Sequence, residues 1–142
     1  MNLLHGIRLF VRRVFSSTQP PSPPRQELGR RGEDEALRYL KARGYRILER
    51  NFRWTGGEID LVAFKEGVIS FVEVRARTEP VQLDPLLTVT PLKQQRLVRT
   101  ANRYIATHNL DRQDVAFRFD VLTVRCPPGG APAEVEHIED AF

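Results

Sequence analysis

Asp60 stands inside the apolar run Ile59-Asp60-Leu61-Val62-Ala63-Phe64, and Glu73 stands inside Ile69-Ser70-Phe71-Val72-Glu73-Val74-Arg75. A carboxylate in an otherwise hydrophobic strand is costly unless something of opposite charge meets it. Two arrangements meet that need. The acids can pair with Arg53, Arg75 or Arg77 as cross-strand ion pairs. Alternatively, they can face each other and share a divalent cation, since carboxylate oxygens with water are the ligands Mg²⁺ and Mn²⁺ favour. Arg75 follows Glu73 by two residues and carries a guanidinium. It stays protonated and so cannot serve as a base.

The elements that would position these residues follow from periodicity. Leu28, Ala36, Leu37 and Leu40 recur at three- and four-residue steps, which predicts a helix over 27–43 closed by Gly44. "YRILERNFRW", "GEIDLVAF" and "VISFVEVRA" read as three strands, the last two joined by a tight turn at Lys65-Glu66-Gly67. Thr90-Pro91 supplies an N-cap and a proline at the first helical position. The helix opened there carries Leu97, Ala101, Tyr104 and Ile105 on one face, which makes Tyr104 a core residue. "VAFRFDVLTV" and "EVEHI" are two further strands. The expected fold is α/β, a mixed sheet flanked by helices in the order α-β-β-β-α-β-β. Strand parity places Glu58 with Asp60 on one face and Ile59, Leu61 and Ala63 on the other. It places Glu73, Arg75 and Arg77 with Ile69 and Phe71, so Asp60 and Glu73 can lie side by side.

Composition bounds the rest. A chain of 142 residues suggests one domain. Residues 1–26 contain Arg8, Arg12, Arg13 and Arg25 without an acid, and four of the ten prolines follow in "SSTQPPSPPRQ". They are expected to form a basic arm and proline-rich linker ahead of a domain over 27–142. The arginines interrupt any apolar core of a secretory signal. No apolar run approaches the ~18 residues of a membrane span. The body is formally neutral, with 18 bases and 18 acids, so an argument for nucleic acid must rest on clustering. From Arg30 to Arg53 there are eight bases and four acids, and from Arg75 to Arg103 six and two. The single cysteine, Cys126, allows no internal disulfide and fits a reducing cytoplasm. His5, His108 and His137 are too scattered for a ligand set, and neither a Gly-rich phosphate loop nor a Ser/His/Asp arrangement is present. Trp54, beside Gly56-Gly57, either stacks on a base or closes an edge of the core.

Acid, turn, then acid–apolar–base resembles the PD-(D/E)xK nuclease signature, with Ile59-Asp60 in place of Pro-Asp and Glu73-Val74-Arg75 in place of Glu-x-Lys. The wider chain, from about Gln26 to Phe142, resembles the YraN family of bacterial proteins. Gly32-Glu33, Arg50-Asn51, Gly57-Glu58-Ile59-Asp60-Leu61, Phe71-Val72-Glu73-Val74 and Phe119-Asp120-Val121 carry that resemblance in order. It implies a restriction-endonuclease-like fold akin to Holliday-junction resolvases. It further implies that Asp60, Glu73 and Glu33 hold Mg²⁺ or Mn²⁺ with the Val74 carbonyl, and that Arg75 completes the catalytic set. Glu58 would orient Arg53 or an amide. Arg50, Arg53, Arg75, Arg77, Lys93 and Arg96 are the candidate nucleic-acid contacts. Base work falls to the cation's own water, to Lys93 swung in from the next helix, or to no residue. The function so implied is a metal-dependent DNA endonuclease selective for branched DNA, with a homodimer for two-strand cutting. The alternative is a non-catalytic nucleic-acid-binding module with a degenerate nuclease site.

Overall fold

The computed structural model describes residues 24–79 and 89–142. Helix α1 spans Arg25–Ala42 and buries Gly32, Ala36 and Leu40. It ends in a Schellman motif, in which the Tyr45 N–H donates to the Leu40 carbonyl at 3.0 Å and the Gly44 N–H to the Lys41 carbonyl at 3.1 Å. The helix begins two residues inside the stretch expected to be linker. Arg25 and Gln26 therefore belong to the body with Pro24 at the helix N-cap, and residues 1–23 of the proposed arm lie outside the described residues. Among the described residues, no helix is long and apolar enough to cross a membrane.

Three antiparallel strands follow: β1 (Arg46–Trp54), β2 (Gly57–Lys65) and β3 (Val68–Arg77). Lys65 pairs with Val68 across the two-residue turn. Glu66 and Gly67 there have φ of 49° and 79°, the left-handed pair that matches strand twist in a tight hairpin. Helix α2 (Pro91–Thr107) then carries the chain over to β4 (Ala116–Arg125), which pairs parallel with β3. A parallel pair requires such a crossover. β5 (Glu134–Ile138) closes the edge antiparallel to β4, giving the sheet order β1-β2-β3-β4-β5. The element order and the mixed sheet match the sequence expectation.

The sheet is buried on both faces. α1 covers one, packing Ala36 and Leu40 on Leu61, Ala63, Val72, Leu122 and Val124. α2 covers the other, packing Leu97, Ala101 and Tyr104 on Ile59, Val62, Ile69, Phe71 and Val121. Tyr104 is core, as its helical position predicts. The simple parity of β2 does not survive. Ile59 packs with the α2 cluster whereas Leu61 and Ala63 pack with the α1 cluster, so alternation breaks at Asp60. The neighbouring strand breaks at the same level. Arg50 pairs with Leu61 and Phe52 with Ile59, and between them Asn51 sits at φ 52°. A non-glycine residue with positive φ bends its strand locally.

Candidate metal and phosphate site

The ladder between β2 and β3 ends at Leu61 and Val72. Beyond that pair a side chain takes over from main chain, and the Val74 N–H donates to Asp60 Oδ2 at 2.7 Å. The two strands fork there, and the fork opens into a cleft of about 390 Å³ lined by Gly57, Glu58, Asp60, Glu73, Lys93 and Arg96, among others. α2 forms its other wall. Two local features hold the helix in place. The Thr90 hydroxyl caps it by accepting the Lys93 N–H at 3.2 Å. At Gly57, a Cβ would lie 1.9 Å from Thr100 Oγ1. The absence of a side chain there is what lets the β1–β2 hairpin touch the helix.

Glu73 is almost fully buried, at 6% exposure. Lys93 Nζ lies 2.5 Å from Glu73 Oε1, and Arg75 Nε lies 3.4 Å from the same oxygen. Two cations thus converge on one carboxylate, one from β3 itself and one from the first turn of α2. Asp60 is in the opposite situation. Burial, followed by the charge of Glu73, pushes its carboxyl up to about 7. The Val74 N–H pulls the other way, and Glu33 and Glu58 add smaller upward pushes.

Not every residue singled out from the sequence reaches this cleft. Glu33 lies beside it, in a neighbouring groove with Arg30, Asn51, Arg53 and Glu58. With its amide nitrogen turned toward the acids, Asn51 donates to Glu33 Oε2 at 3.3 Å and to Glu58 Oε1 at 3.2 Å. Arg53 also meets Glu58, at 3.4 Å, so Glu58 does orient both Arg53 and an amide. Arg50 turns to α1 and donates to Asp34 at 2.9 Å, away from the cleft. Arg77 ends β3, where its carbonyl accepts the Cys126 N–H. Trp54 is no core edge; it is 43% exposed, with the Arg103 guanidinium 5.6 Å from its ring centroid.

Asp60 and Glu73 suit a hard divalent cation in kind. Two carboxylates on one cleft, one of them driven toward neutrality by burial and then by the other's charge, are relieved when a cation binds them. Among the described residues, no group of three or more His, Cys, Asp or Glu side chains is gathered to hold one. Two carboxylates, with water filling the remaining positions, is the donor set Mg²⁺ commonly takes.

The fold and cleft together define a mixed α/β protein whose strand fork concentrates acids and bases at one end of α2. The sequence pattern of the uncharacterised protein family UPF0102 matches residues 32–124, a span that contains Glu33, Asp60, Glu73, Arg75, Lys93 and Arg96. The chain is 42% identical over 121 residues to a UPF0102 protein of Chlorobaculum parvum, covering 82% of this chain and 92% of that one. It is 42% identical over 118 residues to one of Myxococcus xanthus, covering 83% and 90%. To one of Alkalilimnicola ehrlichii it is 46% identical over 106 residues, covering 74% and 83%. The chain belongs to UPF0102, the YraN family.

Proposed function

We propose that this protein is a metal-dependent DNA endonuclease of restriction-endonuclease-like type, acting on branched DNA in the cytoplasm. The observation that carries the reading is the convergence of Asp60, Glu73 and Lys93 on one cleft at the strand fork. Asp60 and Glu73, with the Val74 carbonyl, would hold Mg²⁺ or Mn²⁺; Glu33 would act from the adjoining groove. Bound there, the cation would neutralise charge on the phosphoryl group and favour ionisation of an attacking water. Hydrolysis adds the oxygen of water to phosphorus and breaks one P–O ester bond, leaving a phosphate monoester and a hydroxyl.

The chain's own residues supply the remaining parts. Arg75 presents a permanently charged guanidinium beside Glu73, suited to clamping the scissile phosphate. Lys93 brings an ammonium to the carboxylate of the Glu-x-Arg triplet, from α2 rather than from β3. A lysine absent from its usual strand position is thus replaced in space from another element. This favours an enzyme over a binding module with a degenerate site. Arg96, Arg53 and Arg77 are the remaining candidate phosphate contacts. Cutting both strands at a branch requires two clefts, which is the ground for proposing a homodimer.

Incubating branched and linear DNA with the full chain in Mn²⁺ or Mg²⁺ tests the reading. Cleavage of branched DNA by the wild type, lost by at least about 100-fold in Asp60→Ala and in Lys93→Ala, is the expected result. Arg75→Lys should retain activity. Cleavage that survives Asp60→Ala, or no cleavage with either metal by wild type and Arg75→Lys alike, rejects the enzyme.

A further inference from the structure

Four exposed residues of α2, namely Leu92, Arg96, Arg99 and Arg103, follow one another at steps of four, three and four. Residues so spaced form one row along a helix. The buried face of α2 consists of Leu97, Thr100, Ala101 and Tyr104, so this row is a lateral ridge and not part of the core. Its first two members, Leu92 and Arg96, line the cleft. Its last, Arg103, lies over the ring of Trp54. The close contact of Gly57 with Thr100 fixes the hairpin that carries Trp54 against this side of the helix. A basic track therefore runs from the acid pair to an exposed indole.

Nothing in the core explains this arrangement. Trp54 ends a strand with much of its surface in solvent, and three arginines are aligned without an acid between them in the row. Seven residues of helix cover about 10 Å. That is the length of about three phosphates at the 3.4 Å axial spacing of a stacked strand. Aromatic faces beside such a track bind bases by stacking, and only a base with an open face can stack. In continuous duplex the faces are taken by neighbouring pairs.

We infer that the Arg96–Arg99–Arg103 ridge and Trp54 form a binding track for a single-stranded segment of nucleic acid, with the phosphates on the arginines and an unpaired base stacked on Trp54. The track deepens the proposed nuclease reading, and rests on it only in taking the cleft as the place where the strand is cut. It makes the substrate one with unpaired nucleotides next to the scissile bond.

Trp54 is the sole tryptophan, so its emission reports on the track directly. Full-length protein in EDTA, where no cleavage occurs, is titrated with a short single strand, a forked duplex, a blunt duplex and poly-glutamate. Anisotropy of labelled DNA is followed in parallel. The single strand and the fork should quench the emission strongly, and the blunt duplex and poly-glutamate should not. Trp54→Ala should weaken single-strand binding about tenfold, with Trp54→Phe restoring most of it, and leave duplex binding unchanged. Arg99→Ala with Arg103→Ala should weaken single-strand binding and flatten its salt dependence. Binding without quenching, equal quenching by blunt duplex or poly-glutamate, or unaltered single-strand affinity in Trp54→Ala overturns the track. Quenching without cleavage under any metal leaves the track standing and removes the nuclease; cleavage with an inert Trp54 does the reverse.

Discussion

Asp60 on β2 and Asp120 on β4 flank the same central strand, β3, and both are withdrawn from solvent, yet their surroundings are opposed. Asp120 is 1% exposed and surrounded by partners. Arg118 donates to both its oxygens, at 2.8 and 2.9 Å; His137 Nε2 lies 2.8 Å from Oδ2; and the Asp140 N–H donates at 3.1 Å. Burial alone would push Asp120 up, but His137, Arg118 and the Asp140 N–H together hold it below the ordinary carboxylate range. Asp60 has the Val74 N–H and otherwise faces the like charges of Glu73, Glu33 and Glu58. A buried acid whose needs are met by the fold is a structural tie, here joining β4, β5 and the C-terminal turn. A buried acid kept short of positive charge is in a state the fold itself does not need. That distinction is the ground for reading Asp120 as a structural tie and for proposing Asp60 as the functional acid.

Removing the tie should produce the largest effect. Asp120→Ala leaves Arg118 and His137 without their shared carboxylate, and breaking a buried ion pair on one side costs about 3–5 kcal/mol. Urea unfolding should show that loss at pH 7. A cost under about 1 kcal/mol would mean that the network around Asp120 is not what secures β5.

Asp60 should respond with the opposite sign. Asp60→Asn keeps an oxygen for the Val74 N–H and removes a charge that is costly to bury and repels Glu73, so at pH 8 the variant should be more stable than the wild type, by on the order of 2 kcal/mol. The sign of the pH dependence follows from the carboxyl's rise from 3.8 to about 7 on folding. Between those values the folded chain takes up a proton. The stability this provides is full below the unfolded pKa and lost as the pH rises through about 7. The gap between variant and wild type should therefore close as the pH falls from 8 toward 5. Asp120, held low, behaves the other way: its contribution stands above the ordinary carboxylate pKa and is lost only as acid takes the pH down through its depressed value. A gap that widens on acidification would contradict the assignment of Asp60.

Much of this was legible in the sequence. The apolar steps of α1 and α2, the Thr90-Pro91 cap and the Lys65-Glu66-Gly67 turn are local signals, and each predicted its element. Asp60 and Glu73 stood out because a charged residue in an apolar strand is an inconsistency within a few residues. What escaped depends on neighbours distant in the chain. Strict alternation misplaced Ile59, because the break at Asp60 is shared with Asn51 on β1 and neither strand signals it alone. Glu33 is expected to help hold the cation and Arg50 to contact nucleic acid, but the sequence does not show that α1 holds Glu33 in a groove beside the cleft and offers Asp34 to Arg50. The Arg96, Arg99 and Arg103 spacing is local, but the proposed track depends on Trp54 lying alongside, and long-range contacts between α2 and the β1–β2 hairpin, Gly57 on Thr100 and Phe52 on Tyr104, bring the two together.

The central claim is that Asp60, buried beside Glu73 and short of positive charge of its own, serves with Glu73 to hold a divalent cation. Calorimetric titration of the full chain with Mn²⁺ at pH 7.5 tests it most directly, with Asp60→Asn, Glu73→Gln and Asp120→Asn alongside. The account predicts saturable binding of one Mn²⁺ per chain by the wild type, abolished in Asp60→Asn and in Glu73→Gln and retained by folded Asp120→Asn. Equal Mn²⁺ affinity in Asp60→Asn and wild type, or no binding by the wild type at millimolar Mn²⁺, would contradict it.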